Sequence, residues 1–422
     1  MELMKGRISL APISPEKKWA ALPIFLTSLI FFFVLLTSLN MGLLASLSAL
    51  HAVLFSREAV ETHPSSVFTV PAQASPPPPT APSLGFGVPR FAYFISGSKG
   101  DLDQLWRTLH AIYHPRNIYL LHLDLESPRA ERSELAGRVA RHPLFSGNVH
   151  VIAKANMVTY LGPTMVANTL HASAILLKKS MEWDWFINLS ASDYPLVTQD
   201  DLLFAFSKLP KNLSFVEHTS RLGWKEAERG KPMIVDPGLY KTTKSRVFWV
   251  WPKRELPSAF KLFTGSAWMV LSREFVEYSV WGWDNLPRIL LMYYSNFVSS
   301  PEGYFHTLIC NSPEFAATAV NHDLHHIAWD YPPKQHPHIL SVNDTAKLIG
   351  SHAAFARKFR KDDQVLDFID QKLLRRSKDG FAAGGWRSGD DGELKPGPGA
   401  RRLMRLMDRV VRSEAFRKNQ CV

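Results

Sequence analysis

Few folds other than a helix-covered parallel sheet accommodate the pattern of residues 90–189, where apolar strand-like segments alternate with helix-like ones. A strand is predicted at Arg90–Ser96, followed by a glycine-containing turn and an amphipathic helix at Asp101–Ile112. The remaining predicted elements are the strands Asn117–Asp124, Asn148–Ala153 and Trp185–Leu189 and the helices Arg129–Val139 and Thr164–Lys178. Residues 90–422 are therefore predicted to form one α/β domain built on a parallel sheet.

Polar residues stand where three of the predicted strands end. Ser96 closes the first strand, Asp124 closes the second, and the loop Ser190–Asp193 follows the strand at Trp185–Leu189. Ligands of open parallel sheets bind at the carboxyl ends of the strands, so we expect these residues to lie together at a binding site. The Asp124 carboxylate suits hydrogen bonds from a base or a ribose, although an aspartate at a strand end also often caps the next element.

Carboxylates that could hold a metal ion are sparse at this predicted edge. The segment Ser190–Pro195 contains one aspartate, Asp193, whereas Mg²⁺ and Mn²⁺ bind through several oxygen ligands. Asp101 and Asp103 have the spacing of a metal-binding pair, but they open the first predicted helix, where carboxylates interact favourably with the helix dipole. The sequence therefore predicts no metal cofactor.

A phosphate-bearing ligand that is bound without a metal ion needs cationic side chains to balance its charge. Arg357 and Lys358 lie between Phe355 and Phe359, two aromatic residues that can seat the segment against a core. An arginine fork binds phosphate oxygens in a bidentate manner, which makes the pair a candidate phosphate site. By composition alone, the two cations also suit an ordinary solvated surface.

The histidine and cysteine residues favour structural interpretations. His322 and His326 are four positions apart, which would suit zinc on a helix, but the glutamate of a metalloprotease motif is absent. We interpret them as structural histidines. The two cysteines, Cys310 and Cys421, allow a single bridge, but the interpretation as a buried thiol and an exposed thiol is favoured.

The N-terminal 89 residues predict a membrane anchor and a spacer. No charged residue occurs from Trp19 to Leu50, a stretch long enough to span a bilayer and longer than the apolar core of a cleaved signal peptide. Lys and Arg residues precede this stretch, so the positive-inside rule places the N-terminus in the cytosol. We predict a cytosolic tail at 1–18, a signal-anchor transmembrane segment at 19–47 and a Pro-rich stem at 48–89.

The formal net charge of +11 is concentrated towards the C-terminus, because Lys and Arg outnumber Asp and Glu within residues 353–422. Such a surface suits nucleic acid, an anionic membrane or an acidic ligand such as a nucleotide sugar. The predicted topology places this region in a secretory lumen, where nucleic acid is disfavoured as a partner.

Five segments occur in the order of one known family. They are residues 111–124, Phe186–Pro195, Phe263–Trp268, Ser300–Thr307 and Phe355–Phe359. Together they cover roughly residues 90–380 and resemble glycosyltransferase family 14, the core-2/I-branching N-acetylglucosaminyltransferase-like family, and the related protein xylosyltransferases.

This resemblance implies a GT-A-type, Rossmann-like nucleotide-sugar transferase fold, an inverting mechanism without an essential metal ion, and a UDP-sugar donor. It assigns Glu302 as the catalytic base and the pair Arg357 and Lys358 to the diphosphate. It assigns Asp124 to uridine and Asp193 to the position of a vestigial metal motif. Ser96, at the neighbouring strand end, completes the predicted donor-binding set.

The amino-acid sequences of Ser300–Cys310 and Pro332–Pro337 resemble the plant branch of this family, and so does the small number of cysteines. Its characterised members are β-glucuronosyltransferases acting on arabinogalactan. The resemblance implies transfer of glucuronate from UDP-glucuronate to a β-galactan side chain of arabinogalactan proteins, by a single-pass type II protein of the Golgi membrane. The alternatives are a β-N-acetylglucosaminyl- or xylosyltransferase of the same fold and a catalytically silent, lectin-like relative.

Sequence motifs also predict where glycans are attached and which aromatic residues meet sugars. Asn212 and Asn343 are the predicted N-glycosylation sites, whereas Asn188 falls on a predicted core strand and is expected to stay unmodified. Tyr194, Trp224 and Trp268 are candidates for stacking on sugar rings, but an interpretation as core residues is favoured for each.

Overall fold

The computed structural model describes residues 26–36, 87–243, 245–412 and 414–422. The chain divides into two compact units, Met1–Pro82 and Ser83–Val422. In the first unit, residues 26–36 form helix α1, whose residues are exposed. Among the described helices, none combines the length and the apolar character needed to cross a membrane. The predicted tail at 1–18, most of the predicted span at 19–47 and most of the predicted stem at 48–89 lie outside the described residues.

The second unit alternates strands and helices in its N-terminal part and becomes less regular later. The strands are β1 Phe91–Gly97, β2 Ile118–Leu123, β3 Val149–Val151, β4 Trp185–Ser190, β5 Tyr194–Pro195, β6 Ser214–Thr219, β7 Met233–Val235, β8 Phe248–Val250, β9 Thr264–Ser272, β10 Ala319–Val320, β11 His325–Ile327 and β12 Phe355–Arg357. The helices are α2 Leu102–Ala111, α3 Arg129–Arg141, α4 Thr164–Lys179, α5 Gln199–Phe206, α6 Arg273–Trp281, α7 Leu286–Tyr294, α8 Tyr304–Asn311, α9 Pro313–Ala316, α10 Thr345–Gly350, α11 Gln364–Phe368, α12 Pro398–Val411 and α13 Glu414–Asn419.

The described strands of the second unit form a large central sheet with the order β10-β6-β9-β4-β1-β2-β3. β1 pairs in parallel with both β2 and β4, and β2 pairs in parallel with β3. The predicted α/β alternation and its parallel sheet are therefore confirmed for these four strands. The sheet as a whole is mixed, because β9 lies antiparallel between β4 and β6. A smaller sheet has the order β11-β12-β5, and β7 pairs with β8.

Side chains of the central strands alternate between two apolar layers, one on each face of the sheet. In β1, Tyr93 and Ile95 belong to one layer, while Ala92 and Phe94 belong to the other. This alternation follows from the two-residue period of a strand. Because each fully buried large apolar side chain stabilises a fold by about 1.5–3 kcal/mol, a strand that is apolar on both faces is held firmly at the centre of the sheet.

Cys310 and Cys421 form a disulfide bond, so the interpretation of both as free thiols is wrong. Cys310 lies on α8 and Cys421 at the C-terminus, 111 positions later. Hydrogen bonds keep the tail in place: His218 Nε2 accepts from the Cys421 N–H at 2.9 Å, and the Ser220 N–H donates to the Val422 carbonyl at 3.0 Å. Pairing across this separation depends on tertiary contacts that neighbouring sequence does not reveal. Closing so long a loop stabilises the fold by about 4–5 kcal/mol in the chain-entropy description.

Candidate active site

The carboxyl ends of β1, β2 and β4 meet at one edge of the central sheet. Ser96 lies in register with His122 on β2 and with Ser190 on β4. Directly after β2, the Asp124 N–H donates to the Gly97 carbonyl at 2.9 Å. The prediction that these strand ends lie together is confirmed, and it follows from the parallel pairing of the three strands.

Asp124 is buried at this edge and organises the surrounding loops. Its Oδ1 accepts from the Glu126 N–H at 2.6 Å, and its Oδ2 accepts from the Val158 N–H at 2.8 Å. The side chain therefore has the structural capping role that the sequence allowed.

Arg357 contacts Asp193 at the neighbouring strand end. Asp193 is fully buried, its Oδ2 accepts from the Ser190 N–H at 2.5 Å, and its Oδ1 lies 3.4 Å from Arg357 Nε. The guanidinium carbon of Arg357 lies 4.1 Å from the centroid of the Trp268 ring, on β9. A guanidinium group thus neutralises the single carboxylate of this segment and stacks on an aromatic face, as arginine does at anion-binding sites.

Lys358 lies at the same edge. The Phe359 N–H donates to the Ser192 carbonyl at 3.0 Å, which ties this segment to the loop after β4. Burial raises the pKa of Asp101 above its ordinary value, and the ammonium groups of Lys358 and Lys361 oppose that rise. The positive charge of Lys358 therefore acts on the Asp101 carboxyl group, in the turn between β1 and α2. Arg357 and Lys358 together supply two cations to the edge where β1 and β4 end.

Glu302 ends a short 3-10 turn, Ser300–Glu302, between α7 and α8. A Cβ atom at Gly303 would lie only 2.6 Å from the Tyr294 ring, so the chain can follow its path past Tyr294 only with glycine at that position. The Glu302 side chain is about one third exposed. Its Oε2 forms an ion pair with Arg229 and lies 3.7 Å from Lys225 Nζ. A partly exposed carboxylate and two cations are thus brought together.

Lys225, Arg229 and a second carboxylate, Glu217, are candidate site residues that the sequence analysis did not identify. A register shift between Val216 and His218 on β6 places a bulge at Glu217, and such bulges commonly redirect a side chain. Although part of Glu217 is solvent-exposed, desolvation raises the pKa of its carboxyl group; the carboxylates of Asp323 and Glu302 raise it further, while Lys225 opposes them. Two carboxylates and two cations therefore border one region.

Tyr160 lies near both Glu302 and Arg357. Burial raises the pKa of the Tyr160 hydroxyl, and the Glu302 carboxylate raises it further, whereas the guanidinium groups of Arg229 and Arg357 oppose the rise. The loop that carries Tyr160 is attached to the Glu302 turn, since the Ser299 N–H donates to the Leu161 carbonyl at 2.9 Å. The Glu302 carboxylate and the Arg357 guanidinium are thus both close enough to Tyr160 to affect its pKa.

The aromatic candidates differ in their surroundings. Tyr194 is fully buried and Trp268 nearly so, as the core interpretation predicted. Trp224 is 64% exposed, so the core interpretation of this residue is wrong. Its ring lies 5.2 Å from the guanidinium carbon of Arg229. Trp224 is therefore placed next to the cation that binds Glu302.

The asparagines of the glycosylation motifs occupy three environments. Asn188 lies on β4, where its side chain donates to the Ala267 carbonyl and accepts from the Met269 N–H, each at 2.9 Å. Its predicted position on a core strand is confirmed. Asn212 is half-buried in the turn before β6, and Asn343 is exposed in the 3-10 turn Val342–Asp344.

The histidine pair is not arranged for zinc. His326 lies on strand β11 rather than on a helix, and His322 Nδ1 accepts from the Leu324 N–H at 2.8 Å. Among the described residues, His218, Cys310 and Cys421 form the one cluster with metal-ligand spacing, but its two cysteines are joined to each other. His322 and His326 therefore do not have the helical spacing on which the zinc alternative rested.

Comparisons with known proteins agree with this architecture. The family model of the Core-2/I-Branching enzyme matches residues 91–349. The chain is 53% identical to β-glucuronosyltransferase GlcAT14A of Arabidopsis thaliana, over 97% of this chain and 94% of that protein. It is 60% identical to β-glucuronosyltransferase GlcAT14B of the same plant, over 79% of this chain and 80% of that protein. It is 29% identical to xylosyltransferase 2 of Mus musculus, over 67% of this chain and 34% of that protein.

The chain is therefore an enzyme, a glycosyltransferase with a mixed α/β fold. Within this class it belongs to the Core-2/I-branching family, which is glycosyltransferase family 14, as the resemblance of its motifs predicted.

If Arg357 and Lys358 bind a diphosphate, replacing either by alanine should weaken the binding of UDP. A hydrogen bond to a charged group contributes about 1.5–3 kcal/mol, which corresponds to roughly a 10- to 150-fold change in affinity. Arg357→Lys keeps the charge but loses the planar fork, so we expect an intermediate affinity. Titration calorimetry with UDP measures each effect.

The exposed cation Arg360, changed to alanine, is the matched control and should bind UDP as the wild type does. Wild-type affinity in both Arg357→Ala and Lys358→Ala would remove the pair from the phosphate site.

Proposed function

We propose that this protein is an inverting β-glucuronosyltransferase with a GT-A-type fold. It transfers glucuronate from UDP-glucuronate to a β-galactan side chain of arabinogalactan proteins, without a metal ion. The identity to two β-glucuronosyltransferases of Arabidopsis thaliana over most of their length supports the choice of donor sugar. The acceptor is proposed from the resemblance to the plant branch of the family.

The observation that carries the proposed mechanism is the contact of Arg357 with Asp193. A metal-dependent transferase uses carboxylates at this strand end to hold a divalent cation against the diphosphate. Here the single carboxylate is in contact with a guanidinium group, at 3.4 Å. Arg357 stacks on Trp268 in the same place, so its direction is fixed before any ligand binds. A cation fixed in advance stabilises developing negative charge without a reorganisation cost during the reaction.

In the proposed reaction, an acceptor hydroxyl attacks the anomeric carbon of the donor from the face opposite UDP. The bond between that carbon and the UDP oxygen breaks, and the hydroxyl proton passes to Glu302. Arg357 and Lys358 stabilise the charge that develops on the departing UDP. Displacement from the opposite face inverts the anomeric configuration, so an α-linked donor gives a β-linked product.

The surroundings of Glu302 suit the binding of a sugar acceptor. Arg229 and Lys225 both contact its Oε2, and we assign Oε1 to the acceptor hydroxyl. A general base must approach the hydroxyl to about 2.6–3.2 Å. Glu217 and the exposed ring of Trp224 border the same region, where a carboxylate and an aromatic face can orient a pyranose ring. On the donor side, Asp124 and Ser96 at the strand ends are assigned to the uridine portion.

A donor screen with the purified full-length chain tests the function directly. With a β-galactan acceptor, UDP-glucuronate should support UDP release at a rate well above that of UDP-N-acetylglucosamine, UDP-xylose and UDP-glucose. Preference for UDP-N-acetylglucosamine or UDP-xylose would instead assign one of the alternative transferase activities. Binding of β-galactan without turnover of any of these donors would favour a lectin-like protein.

Replacing Glu302 by glutamine keeps the shape of the side chain and removes the base. Turnover should fall about 10²–10⁴-fold, because general-base catalysis contributes an acceleration of that size. The affinity for UDP should stay close to that of the wild type, since Glu302 is assigned to the acceptor side. Steady-state kinetics and UDP titration measure the two quantities.

Glu226→Gln is the matched control for this variant. Glu226 belongs to the turn that carries Arg229, but its carboxylate forms an ion pair with Lys231 at 3.1 Å. Lys231 is not one of the two cations that contact Glu302. The Glu226→Gln variant should keep near-normal turnover. Near-normal turnover in Glu302→Gln itself would exclude Glu302 as the base. A loss of both turnover and UDP affinity in Glu302→Gln would assign Glu302 a structural role.

We also propose that the enzyme is a single-pass type II protein of the Golgi membrane, with its catalytic domain in the lumen. This proposal is supported by the uncharged stretch from Trp19 to Leu50 and by the basic residues that precede it. An epitope placed after Val422 should be protected from protease in intact microsomes. Digestion of that epitope before the vesicles are opened would contradict the topology.

A further inference from the structure

The strands β7 and β8 form a small ribbon that carries exposed aromatic residues. Trp249 on β8 is 55% exposed, and Trp251, directly after the strand, is 76% exposed. Phe248 and Val250, the other two residues of β8, are exposed as well. We call β7, β8 and Trp251 the aromatic ribbon. Large apolar side chains exposed next to one another are characteristic of interaction sites.

Both faces of β8 are accessible to solvent. Trp249 lies opposite Ile234 of β7, and paired residues of two strands project from the same face. Ile234 is fully buried whereas Trp249 is not, so β8 extends beyond the surface on which β7 packs. Phe248 and Val250 project from the opposite face, because successive side chains of a strand alternate. Apolar side chains on both faces of one strand are a liability unless a ligand or partner covers them.

The aromatic ribbon is joined to the turn that contacts Glu302. Lys253 Nζ, two residues after Trp251, donates to the Ala227 carbonyl at 3.1 Å. The next residue, Arg254, donates its N–H to the Lys231 carbonyl at 2.9 Å. Ala227 belongs to the π-helical turn Glu226–Gly230, which also carries Arg229, the residue that binds Glu302. The segment that follows the exposed tryptophans is therefore hydrogen-bonded to the turn that supplies Arg229.

We infer that the aromatic ribbon binds a stretch of the acceptor glycan at a distance from the hydroxyl that reacts. The apolar C–H face of a pyranose packs on an indole ring, which removes apolar surface from water. The hydroxyl groups at the edge of the sugar remain solvated. This inference rests on the proposed glycan-transferase function and extends the acceptor site from a single sugar to a polymer.

Charges beside the aromatic ribbon favour a glycan with acidic groups. The Lys253 ammonium lies 5.9 Å from the centroid of the Trp251 ring, and Lys241 and Arg246 are exposed in the connection between β7 and β8. Cations next to aromatic faces attract carboxylates that a polymer presents between its neutral sugars. A β-galactan that already carries glucuronate would therefore bind more tightly than an unmodified one.

The double variant Trp249→Ala/Trp251→Ala in the full-length chain tests this inference. With an arabinogalactan protein as acceptor, KM should rise about tenfold, which corresponds to about 1.4 kcal/mol, while kcat stays within about twofold. With a β-galactose disaccharide, which lacks the polymer stretch assigned to the aromatic ribbon, both constants should stay near those of the wild type. Without donor, the variant should migrate faster than the wild type in a native gel that contains arabinogalactan protein.

Two further variants serve as controls. Trp281→Ala removes a tryptophan of similar exposure, 53%, from the end of α6, and it should keep the wild-type KM for the polymer. Trp249→Phe/Trp251→Phe keeps an aromatic face at both positions and should recover most of the affinity for the polymer.

The outcomes separate this inference from the proposed function. An unchanged KM for the polymer in the alanine variant overturns the inference, and so does an equal loss with polymer and disaccharide. A shift from dimer to monomer in sedimentation, with polymer binding intact, would assign the ribbon to contacts between copies of this chain and also overturns it. If the wild type binds arabinogalactan protein in the gel but transfers no glucuronate to it, the proposed function fails while glycan binding by the ribbon can still be measured.

Discussion

The ion pair between the buried Asp193 and the partly exposed Arg357 is the contact on which the geometry of the candidate site depends. It joins the loop after β4 to the strand β12, and Trp268 of β9 covers the guanidinium group. Removing Arg357 would leave the fully buried Asp193 carboxylate without this cation, which is unfavourable. Three separate parts of the fold therefore fix one cation at the edge of the sheet. Because Lys358 directly follows Arg357 in the chain, this contact also restricts where Lys358 can lie.

The part of the candidate site around Glu302 depends on backbone constraints instead of on a buried charge. The bulge on β6 presents Glu217, the glycine after Glu302 lets the chain pass the Tyr294 ring, and the Ser299 N–H attaches the Glu302 turn to the Tyr160 loop. Loops carry the reactive groups, and the central sheet fixes the positions at which those loops begin and end.

Much of the fold could be predicted because its signals are local. Apolar strands such as β1 and β4 differ in period from the helices between them, and the parallel order then places Ser96, Asp124 and Asp193 at one edge. The antiparallel β9 breaks the simple alternation and was not predicted. A strand that enters a sheet from a distant part of the chain leaves no local pattern of its pairing.

The site was predicted in part, for similar reasons. Motif resemblance nominated Glu302, Arg357 and Lys358 as candidates, whereas Arg229 and Tyr160 come near them from segments without a recognisable pattern. The disulfide between Cys310 and Cys421 was missed because two cysteines so far apart give no information about their distance in space. Trp224 was interpreted as core because an aromatic residue is usually buried, and only the structure reveals its exposure next to Arg229.

The central claim is that a fixed arginine performs the task of a divalent cation. Turnover of UDP-glucuronate measured before and after exhaustive chelation with EDTA, and again after addition of Mn²⁺, tests it most directly. We expect the same kcat in all three conditions, because Arg357 and Lys358 are proposed to stabilise the departing UDP. Loss of activity on chelation, with recovery on adding Mn²⁺, would contradict it and would assign a metal-binding role to the carboxylates around Asp193.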